Sequence, residues 1–480
     1  VNVKYNITGA NGNGDAKFDV DAGTLNLTAG TLNINGEHTG TDDFEHSIHF
    51  ASGITVNANA NHTIGIIDNT SGSSMEHRYV DFGGKSIGSL TFNVSTKELH
   101  LKSNTTLLGN LTVTAGEFRP QAYNVDIGGS VDIDDEIEIS TGTINVDGAF
   151  DATGGTIDFT DAGRITLAGT VTSLGTLDEA AGTIEYDGST QDVLADAYYN
   201  LEIDQSGVKS QASGTMTVAG TMTVQSAATY ALDTRDITVT GTTTSPGTTR
   251  ISTGTYTASG ATDFSNGTLS ITSTGVYDAN NTFTASSGNV TFTGAGFLRC
   301  NNTVTSLGTL STDNGTVEYD GGTQNVLSDA YYNLEVDQSG VKTSQGTVTA
   351  AGTLTVQSGS TYAIAATSTT VTGTSDINGT LTASTGTFDA NGTFDATNGT
   401  IDFTDVGRLQ CAGTVTSLGI LDDAAGTVEY DGGTQTIFTD TYYNLEIDQS
   451  GTKSIGDQIH TEGDLIISAG TLEMAGNNIN

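Results

Sequence analysis

The sequence predicts an all-β protein that folds as a right-handed parallel β-helix, a solenoid of roughly triangular cross-section with about 22 residues per coil. Three observations predict this fold. A long passage occurs three times, apolar and polar residues alternate with a period of two, and glycine-containing breaks interrupt these runs. The chain has 480 residues with 62 glycines and only 2 prolines. Scarce proline suits interior strands, because each of them needs its backbone N–H for pairing.

The repeated passage begins with TVTSLG and ends with DQSG in every copy. Its equivalent tyrosines are Tyr186, Tyr319 and Tyr430, at intervals of 319 − 186 = 133 and 430 − 319 = 111 along the chain. The two intervals differ by 22, and both divide by about 22.2, as 133/6 and 111/5. An insertion of this size that leaves both flanks intact indicates one additional coil of a solenoid. The three copies occupy residues 170–207, 303–340 and 414–451.

Short alternating runs predict the strands of each coil. In YYNLEID, Tyr199, Leu201 and Ile203 share one parity, and the polar Asn200 and Glu202 have the other. A period of two is typical of a half-buried strand. Three such strands make one coil, and coils stacked about 4.8 Å apart pair each strand with its equivalents above and below. The right-handed form follows from the general handedness of parallel crossovers.

The motif YYNL-x-I/V-D-Q-S-G-x-K, followed by G-T-L-T-V-x-x-G, resembles secreted right-handed β-helix repeat proteins of prokaryotic cell surfaces. These include adhesin-like and filamentous-haemagglutinin-like proteins, and the resemblance covers about residues 140–480. It implies an exported protein of this architecture. Adhesins, sheath or matrix proteins and filament subunits share such repeats, so the resemblance leaves the function open among them.

We expect two parts along the chain. Residues 1–140 are an N-terminal solenoid part with an irregular, histidine-containing stretch at about 37–84. That stretch is a loop excursion, a set of divergent coils or a small inserted β-domain, and divergent coils are the favoured interpretation. Residues 141–480 are the repeat solenoid, with units that start near 144, 277 and 388, the last of them truncated.

Composition excludes several classes of function. Lys plus Arg number 15 and Asp plus Glu number 56, which gives a net charge of −41. That charge argues against binding to nucleic acid or to an anionic membrane surface. No apolar run approaches the roughly 20 residues of a membrane-spanning helix. The acidic surface suits an extracellular or cell-surface protein, and mutual repulsion would keep neighbouring copies from clumping sideways.

Polysaccharide-degrading β-helices need clustered carboxylates, usually beside Lys or Arg. Asp161 with Arg164 is the best such group, and Asp405 with Arg408 repeats it, but the middle copy has Phe297 in place of the arginine. A DG-x-TQ turn also recurs in all three copies, at Asp187, Asp320 and Asp431. A catalytic site normally occurs once, whereas a turn recurs with the fold. We therefore predict no catalytic residues, no cofactor and no enzyme activity.

Metal binding has two weak candidates in the sequence. The first candidate has oxygen ligands at alternate positions, as in a calcium-binding loop. The glutamate that closes such a loop is missing, because Ala22 occupies its position, so a glycine-rich turn is the favoured interpretation. Five of the seven histidines lie close together, but their spacings match no zinc pattern. We therefore predict no metal site beyond the weak calcium candidate. The calcium candidate consists of Asn11, Asn13, Asp15 and Asp19, and the five histidines are His38, His46, His49, His62 and His77.

Cysteine and threonine have structural interpretations. Cys300 and Cys411 occupy the position of Leu167 in the first copy, which predicts buried, unpaired thiols. An acidic run from Asp132 to Glu138 alternates with valine and isoleucine, which predicts outward carboxylates. Thr-rich rows could bind ice, but Tyr, Asp and Glu interrupt the outward rows, so threonine as a strand former is the simpler account.

The two ends of the sequence suggest assembly. Val1, Val3, Tyr5 and Ile7 alternate as a strand, and the last residues, including Leu472 and Met474, read as an uncapped coil. Either the native chain continues, or one subunit caps the next.

We therefore expect an extracellular structural protein that polymerises head to tail into a filament, sheath or surface layer. The alternatives are an adhesin stalk that binds a surface or glycan, then a polysaccharide-active enzyme or an ice-binding protein.

Overall fold

The computed structural model describes residues 5–8, 18–35, 46–67, 77–178, 181–311, 313–474 and 476–480. All regular structure within these residues is β-strand, and the strands pair in parallel. The predicted all-β parallel solenoid is thus confirmed. The chain forms two compact units, residues 1–231 and 232–480. The predicted division at residues 140 and 141 stays a prediction.

Three strands make one coil from Val125 onward, because each strand pairs with the third strand before or after it. Asn200 lies 17 positions after its partner Thr183, and Asn289 lies 21 positions after its partner Thr268. These coils are therefore slightly shorter than predicted. Earlier coils are longer, since Tyr5 pairs with Leu32. A longer coil needs longer connections between its strands.

The first unit contains the more varied strands. Two of them are long, Ser89–Leu101 and Leu111–Gln121, and each continues through two columns of stacked strands. The stretch at 37–84 contains four described strands, which pair in parallel with their neighbours.

The strands of the first unit are Tyr5–Thr8, Phe18–Val20, Thr24–Leu27, Gly30–Asn35, His46–Phe50, Thr55–Ala58, His62–Ile67, His77–Asp81, Ser86–Ile87, Ser89–Leu101, Thr105–Leu107, Leu111–Gln121, Val125–Ile127, Val131–Ile133, Glu136–Ile139, Thr143–Val146, Phe150–Asp151, Thr156–Phe159, Arg164–Leu167, Val171–Ser173, Thr176–Asp178, Thr183–Tyr186, Gln191–Val193, Ala197–Tyr198, Asn200–Ile203, Gly207–Gln211, Met216–Val218, Met222–Val224 and Ala228–Asp233, which ends at the start of the second unit.

The second unit is more regular, and its strands stack in columns. One column is Ile237–Val239, Thr255–Ala258, Val276–Ala279, Phe297–Cys300, Thr316–Tyr319, Asn333–Val336, Leu354–Val356, Ser375–Ile377, Phe394–Asp395 and Val415–Ser417. Another is Ala330–Tyr331, Val348–Ala350, Ser368–Val371, Thr387–Ala390, Arg408–Cys411, Thr427–Tyr430, Asn444–Ile447 and Leu465–Ile467.

The shorter columns of the second unit complete its coils. They are Thr243–Thr244, Thr262–Asp263, Phe283–Thr284 and Val304–Ser306; Thr248–Ile251, Thr268–Ile271, Asn289–Phe292 and Thr309–Leu310; Gln324–Val326, Gly340–Ser344, Ser360–Ile364, Thr380–Ala383, Thr400–Phe403 and Ile420–Leu421; Gln435–Ile437, Thr452–Ile455 and Thr471–Glu473; and Thr441–Tyr442 with His460–Thr461.

The insertion in the longer repeat corresponds to one additional coil. The strand equivalent to Arg164–Leu167 is Phe297–Cys300, twenty described strands later, and Arg408–Cys411 follows after seventeen more. The difference is three strands, which make one coil. Neither separation is a multiple of three, so a repeat does not contain a whole number of coils, in contrast to the six and five whole coils that the periods indicate.

Alternating burial forms the core of each unit. Leu201 and Ile203 are buried, whereas Tyr199, which shares their parity, is 38% exposed. The chain turns a corner there, between the strands Ala197–Tyr198 and Asn200–Ile203, and Tyr198 is buried instead. Stacked aromatic rings such as Tyr256 and Tyr277, 4.7 Å apart, lie in register in consecutive coils. Burial of each such ring contributes roughly 1.5–3 kcal/mol.

Candidate functional site

A completely buried lysine stands two residues after each copy of the repeated passage, at Lys209, Lys342 and Lys453. The ammonium Nζ of Lys342 donates to the carbonyl of Asp337 and, at 2.6 Å, to that of Gln338. Gln338 has a φ of 57°, in the left-handed region that glycine favours. Burial lowers the pKa of Lys342, and the charges of Asp337 and Asp320 oppose that effect. The lysine thus stabilises a strained backbone turn from inside the coil.

A glutamine lies at the end of the DG-x-TQ turn in each copy, buried in the first two copies and half-buried in the third. The amide Nε2 of Gln324 donates to the carbonyls of Cys300 and Asn302, at 2.7 and 2.6 Å. Its Oε1 accepts from the backbone N–H of Gly321 at 2.7 Å. Gln191 and Gln435 make the same three contacts in their copies. The glutamine joins two coils where the strand pairing is interrupted.

The interruption occurs at the same place in each repeat. In the first copy, the columns that end with Val171–Ser173 and Thr176–Asp178 do not continue to Gln191–Val193 and Ala197–Tyr198, which begin new columns. A groove of about 400 Å³ opens there, lined in part by Thr170, Thr190 and Asp192. The equivalent groove of the middle copy is about 160 Å³. The repeated turn therefore joins columns that end to columns that begin, and we call this place the joint of each repeat. It leaves a polar groove on the surface.

Two tyrosines close each joint from within. Tyr186 and Tyr198 share a hydrogen bond of 3.2 Å between their hydroxyls, and Tyr198 also donates to the carbonyl of Leu194 at 2.7 Å. Burial raises the pKa of Tyr186 to about 12. The pairs Tyr319 with Tyr331 and Tyr430 with Tyr442 repeat this contact. The tyrosine hydroxyls are thus satisfied internally, as a structural element requires. One carboxylate oxygen of the turn aspartate, Oδ1 of Asp187, Asp320 and Asp431, is buried in each copy without a hydrogen-bond partner among the described residues.

An outer ladder of charged side chains runs over the repeated passage, and it differs from the predicted pair of Asp161 with Arg164. Arg164 instead contacts Glu185 and Glu202, at 2.5 and 2.6 Å, from the next two coils. Among the described residues, the carboxylate of Asp161 accepts from the adjacent backbone N–H of Ala162 at 2.8 Å, and Arg164 does not contact it. The predicted grouping was wrong because parallel stacking brings together residues 21 and 38 positions apart.

The third copy repeats this ladder with Arg408, Glu429 and Glu446. Asp405 likewise accepts from its neighbour, the N–H of Val406, at 2.9 Å. Gln410, two residues after Arg408, also donates to Glu429, at 2.9 Å.

The middle copy builds the same ladder from a different position. Arg299 stands two residues after Phe297, the position equivalent to Arg164 and Arg408, and its Nε lies 2.9 Å from Glu318. Its guanidinium carbon is 5.3 Å from the centre of the Phe297 ring. Burial raises the pKa of Glu318 to about 7, although Arg299 acts to lower it. The missing arginine is thus replaced within its own strand.

The predicted calcium residues Asn11, Asn13 and Asp15 lie outside the described residues. Asp19 is described, and its carboxylate Oδ1 lies 2.8 Å from Nδ1 of His49. In the acidic run, Val131, Ile133, Ile137 and Ile139 are buried and Asp132 and Asp134 are exposed, so the outward placement of those carboxylates is confirmed.

The predicted histidines fall in several places. His38 lies outside the described residues, His46 begins a strand, and His62 is buried. His77 contacts Glu98 and His100, neither of which was among the candidate residues. Burial lowers the pKa of His100 despite its hydrogen bond to Glu98. Burial acts to raise the pKa of Glu98, but the His100 hydrogen bond and the Arg119 charge lower it overall.

Both cysteines are buried and unpaired, as predicted, and burial raises the pKa of each thiol. Such thiols act as small apolar side chains with little nucleophilic thiolate.

The predicted assembly edges are partly described. Val1 and Val3 lie outside the described residues, while Tyr5 and Ile7 belong to a strand that pairs with Gly30–Asn35. Leu472 lies in the strand Thr471–Glu473, which pairs with Thr452–Ile455, and Met474 is exposed.

The last coil exposes apolar side chains. The strand Leu465–Ile467 pairs with Asn444–Ile447, and none of its three residues is buried, with Ile467 52% exposed.

The chain matches no family model, no curated protein and no solved structure in the three comparisons. Within the described part of the chain, no helix is long and apolar enough to cross a membrane.

Proposed function

We propose that this protein is an extracellular structural protein whose solenoid ends join head to tail into a filament, sheath or surface layer. The observation that carries the proposal is the last coil. Leu465 and Ile467 stay exposed, although their partners in the preceding coil, Leu445 and Ile447, are buried. Ile466, the partner of the outward Glu446, is exposed as well. Among the described residues no later strand pairs with Leu465–Ile467, so its backbone edge could offer hydrogen bonds to a further parallel strand.

The proposed partner of this edge is a second copy of the chain. The strand Tyr5–Thr8 pairs with Gly30–Asn35 and alternates polar and apolar residues. A parallel strand laid on Leu465–Ile467 would add backbone bonds of about 0.5–1.5 kcal/mol each. It would also bury apolar surface at roughly 25 cal/mol per Å². Assembly therefore continues the stacking that already holds the coils together.

Charge favours end-to-end over sideways association. With a net charge of −41, the sides of two neighbouring copies carry the same negative charge and repel each other. The exposed residues Leu465 to Ile467 at the end are uncharged, so this repulsion is weaker there. We propose no catalysis, because the outer ladder recurs in all three copies and its charges are already paired. A site for chemistry would normally be single and have free reactive groups.

An adhesin stalk is the second candidate, and the polar groove of about 400 Å³ beside Gln191 favours it. Hydroxyl and carboxylate groups such as those of Thr170, Thr190 and Asp192 are suited to hydrogen bonding with a glycan on a cell surface. Single particles that bind glycans would support this candidate over assembly.

Negative-stain microscopy with light scattering tests the assembly proposal. The wild-type chain should form long polymers, and the double variant L465K/I467K should remain as single particles, because lysine at the junction would bury unpaired charge. Val406→Lys is the matched control, since Val406 is also an exposed apolar residue but lies in a turn. It should polymerise normally. Single wild-type particles, or unchanged polymers of the double variant, would contradict the proposal.

A further inference from the structure

An outward cluster of side chains in the first unit brings two imidazoles and one carboxylate together. His77 begins the strand His77–Asp81, and Glu98 is its direct partner in the strand Ser89–Leu101. His100 lies two residues beyond Glu98 and therefore on the same face of the sheet. The pairing of consecutive coils thus gathers three ligand-type groups that are distant in the sequence.

The ligand atoms converge on one point. Nδ1 of His77 and Nε2 of His100 are 3.2 Å apart, and they lie 2.5 and 2.7 Å from the same Glu98 oxygen, Oε2. All three atoms fall within 4.8 Å of one another. In tetrahedral zinc sites, bonds of about 2.0–2.1 Å hold ligand atoms roughly 3.3 Å apart. The two nitrogens already have this separation, and Glu98 needs to move by less than about 1 Å.

The surrounding groups hold these ligands in place. Nδ1 of His100 lies 2.8 Å from the amide Nε2 of Gln121, and an Asn or Gln amide can be turned so that its oxygen accepts instead. That bond would fix the ring and direct Nε2 towards the ion. The guanidinium of Arg119 lies 3.2 Å from Glu98 Oε1 and leaves Oε2 to the histidines.

Charge and access also suit a cation. Arg119 is already paired with Glu117 and with Glu138, the latter at 3.1 Å, so its charge is offset. The side chain of His100 is 8% exposed, but those of His77 and Glu98 are 30% and 22% exposed. An ion could therefore enter from solvent and keep an open position for water on that side.

We propose that His77, Glu98 and His100 bind a divalent transition-metal ion such as zinc, with Gln121 orienting His100. Two histidines and one glutamate form a donor set that zinc accepts with a fourth position left for water. The ion would link two consecutive coils of the first unit, because its ligands come from neighbouring paired strands. This site is independent of the assembly proposed above.

Equilibrium dialysis with Zn²⁺ tests the proposal on the full chain. Chelator-treated protein is dialysed against zinc with calcium in large excess, so that the many surface carboxylates are already occupied. We expect one zinc ion per chain at this site. His77→Ala and Glu98→Gln should each weaken that site by more than the 10- to 100-fold loss typical of supporting residues. Gln121→Ala should fall within that range.

Matched controls separate this site from unspecific binding. His460 with Glu462, 3.0 Å apart and exposed, repeats the histidine–glutamate contact without a second histidine, so His460→Ala should bind zinc as the wild type does. Asp19, Asp21 and His49 form a second group of side chains that could hold a metal ion, and His49→Ala removes the histidine of that group.

Cobalt gives a second measurement. Co²⁺ bound at the site of the wild type should show the intense visible absorption that is typical of a cobalt ion with few ligands. Glu98→Gln should not show this absorption. Glu98→Gln keeps the side-chain size, so it remains informative even where His77→Ala does not fold. One zinc per chain retained in Glu98→Gln, loss of that zinc in His49→Ala, or no calcium-resistant zinc in the wild type would each overturn the proposal.

Discussion

The middle and third copies of the repeated passage differ outside the coil and agree inside it. Inside, Gln324 and Lys342 make the same hydrogen bonds as Gln435 and Lys453. Outside, the middle copy has its arginine at position 299. The third copy has Arg408, whose equivalent in the middle copy is position 297, two residues earlier. The interior requires a donor at one point, whereas a long arginine reaches the same glutamate from either of two outward positions.

The largest expected effect comes from the interior. Lys342→Met keeps the length of the side chain but leaves the carbonyls of Asp337 and Gln338 without their donor. We expect a loss of about 2–4 kcal/mol in the free energy of unfolding, because buried acceptors without partners cost about 1–3 kcal/mol each. Urea unfolding followed by tyrosine fluorescence measures it.

Lys85→Met is the control for this change, because Lys85 donates to the carbonyl of Ser52 at an exposed site. It should cost less than about 0.5 kcal/mol. Equal losses in the two variants would show that the buried lysine has no special role.

The second expected effect depends on pH and separates the two copies. The pKa of Glu318 is raised to about 7 from 4.5, so its protonated form is favoured in the fold. This contribution to stability is complete below pH 4.5 and is lost as the pH rises through 7. Glu318→Gln should therefore abolish a loss of on the order of 2–3 kcal/mol between these pH values.

Glu446→Gln in the third copy should act on the acidic side instead. Hydrogen bonds from Ser468 and Arg408 lower the pKa of Glu446, so its contribution is present above its ordinary pKa and is lost as the pH falls. Unfolding free energies of both variants, measured from well below the ordinary pKa of glutamate up to pH 8, distinguish them. Parallel curves for the two variants would contradict the assignment.

The smallest expected effect comes from rebuilding one ladder as the other. The double variant F297R/R299Q gives the middle copy the arginine and glutamine of the third copy, Arg408 and Gln410. Its free energy of unfolding should stay within about 0.5 kcal/mol of the wild type, whereas Arg299→Ala should lose up to about 1 kcal/mol. Thermal melts of the wild type and the two variants measure these differences in stability. A double variant less stable than Arg299→Ala would show that the two positions are not equivalent.

Much of the fold could be predicted from the sequence, because the triple repeat and the two-residue alternation directly reflect stacked strands. Buried Leu201, Ile203 and Cys300 follow that alternation. Tyr199 does not, because parity is reset at each corner of a coil and no residue marks the corner at that position. The repeat period alone indicates coils that are slightly too long, because a repeat ends part of the way through a coil.

The side-chain clusters were harder to predict because they depend on register. Arg164 was grouped with its near neighbour Asp161, while its partners Glu185 and Glu202 lie in the next two coils. The spacing of the histidines within one stretch does not indicate His100, because His100 meets His77 through the register of two consecutive coils. A step of one coil along the sequence leads from His77 to its paired residue Glu98 and would have indicated the cluster.

Arg408–Cys411 is the seventeenth described strand after Phe297–Cys300, which has a consequence for how the second unit meets other molecules. Because one coil uses three strands, the middle and third copies present their charged rows on different sides of that unit. A flat object, such as a mineral face or a sheet of sugar chains, can lie against only one of the two rows at a time. A partner that touches both must wind around the unit.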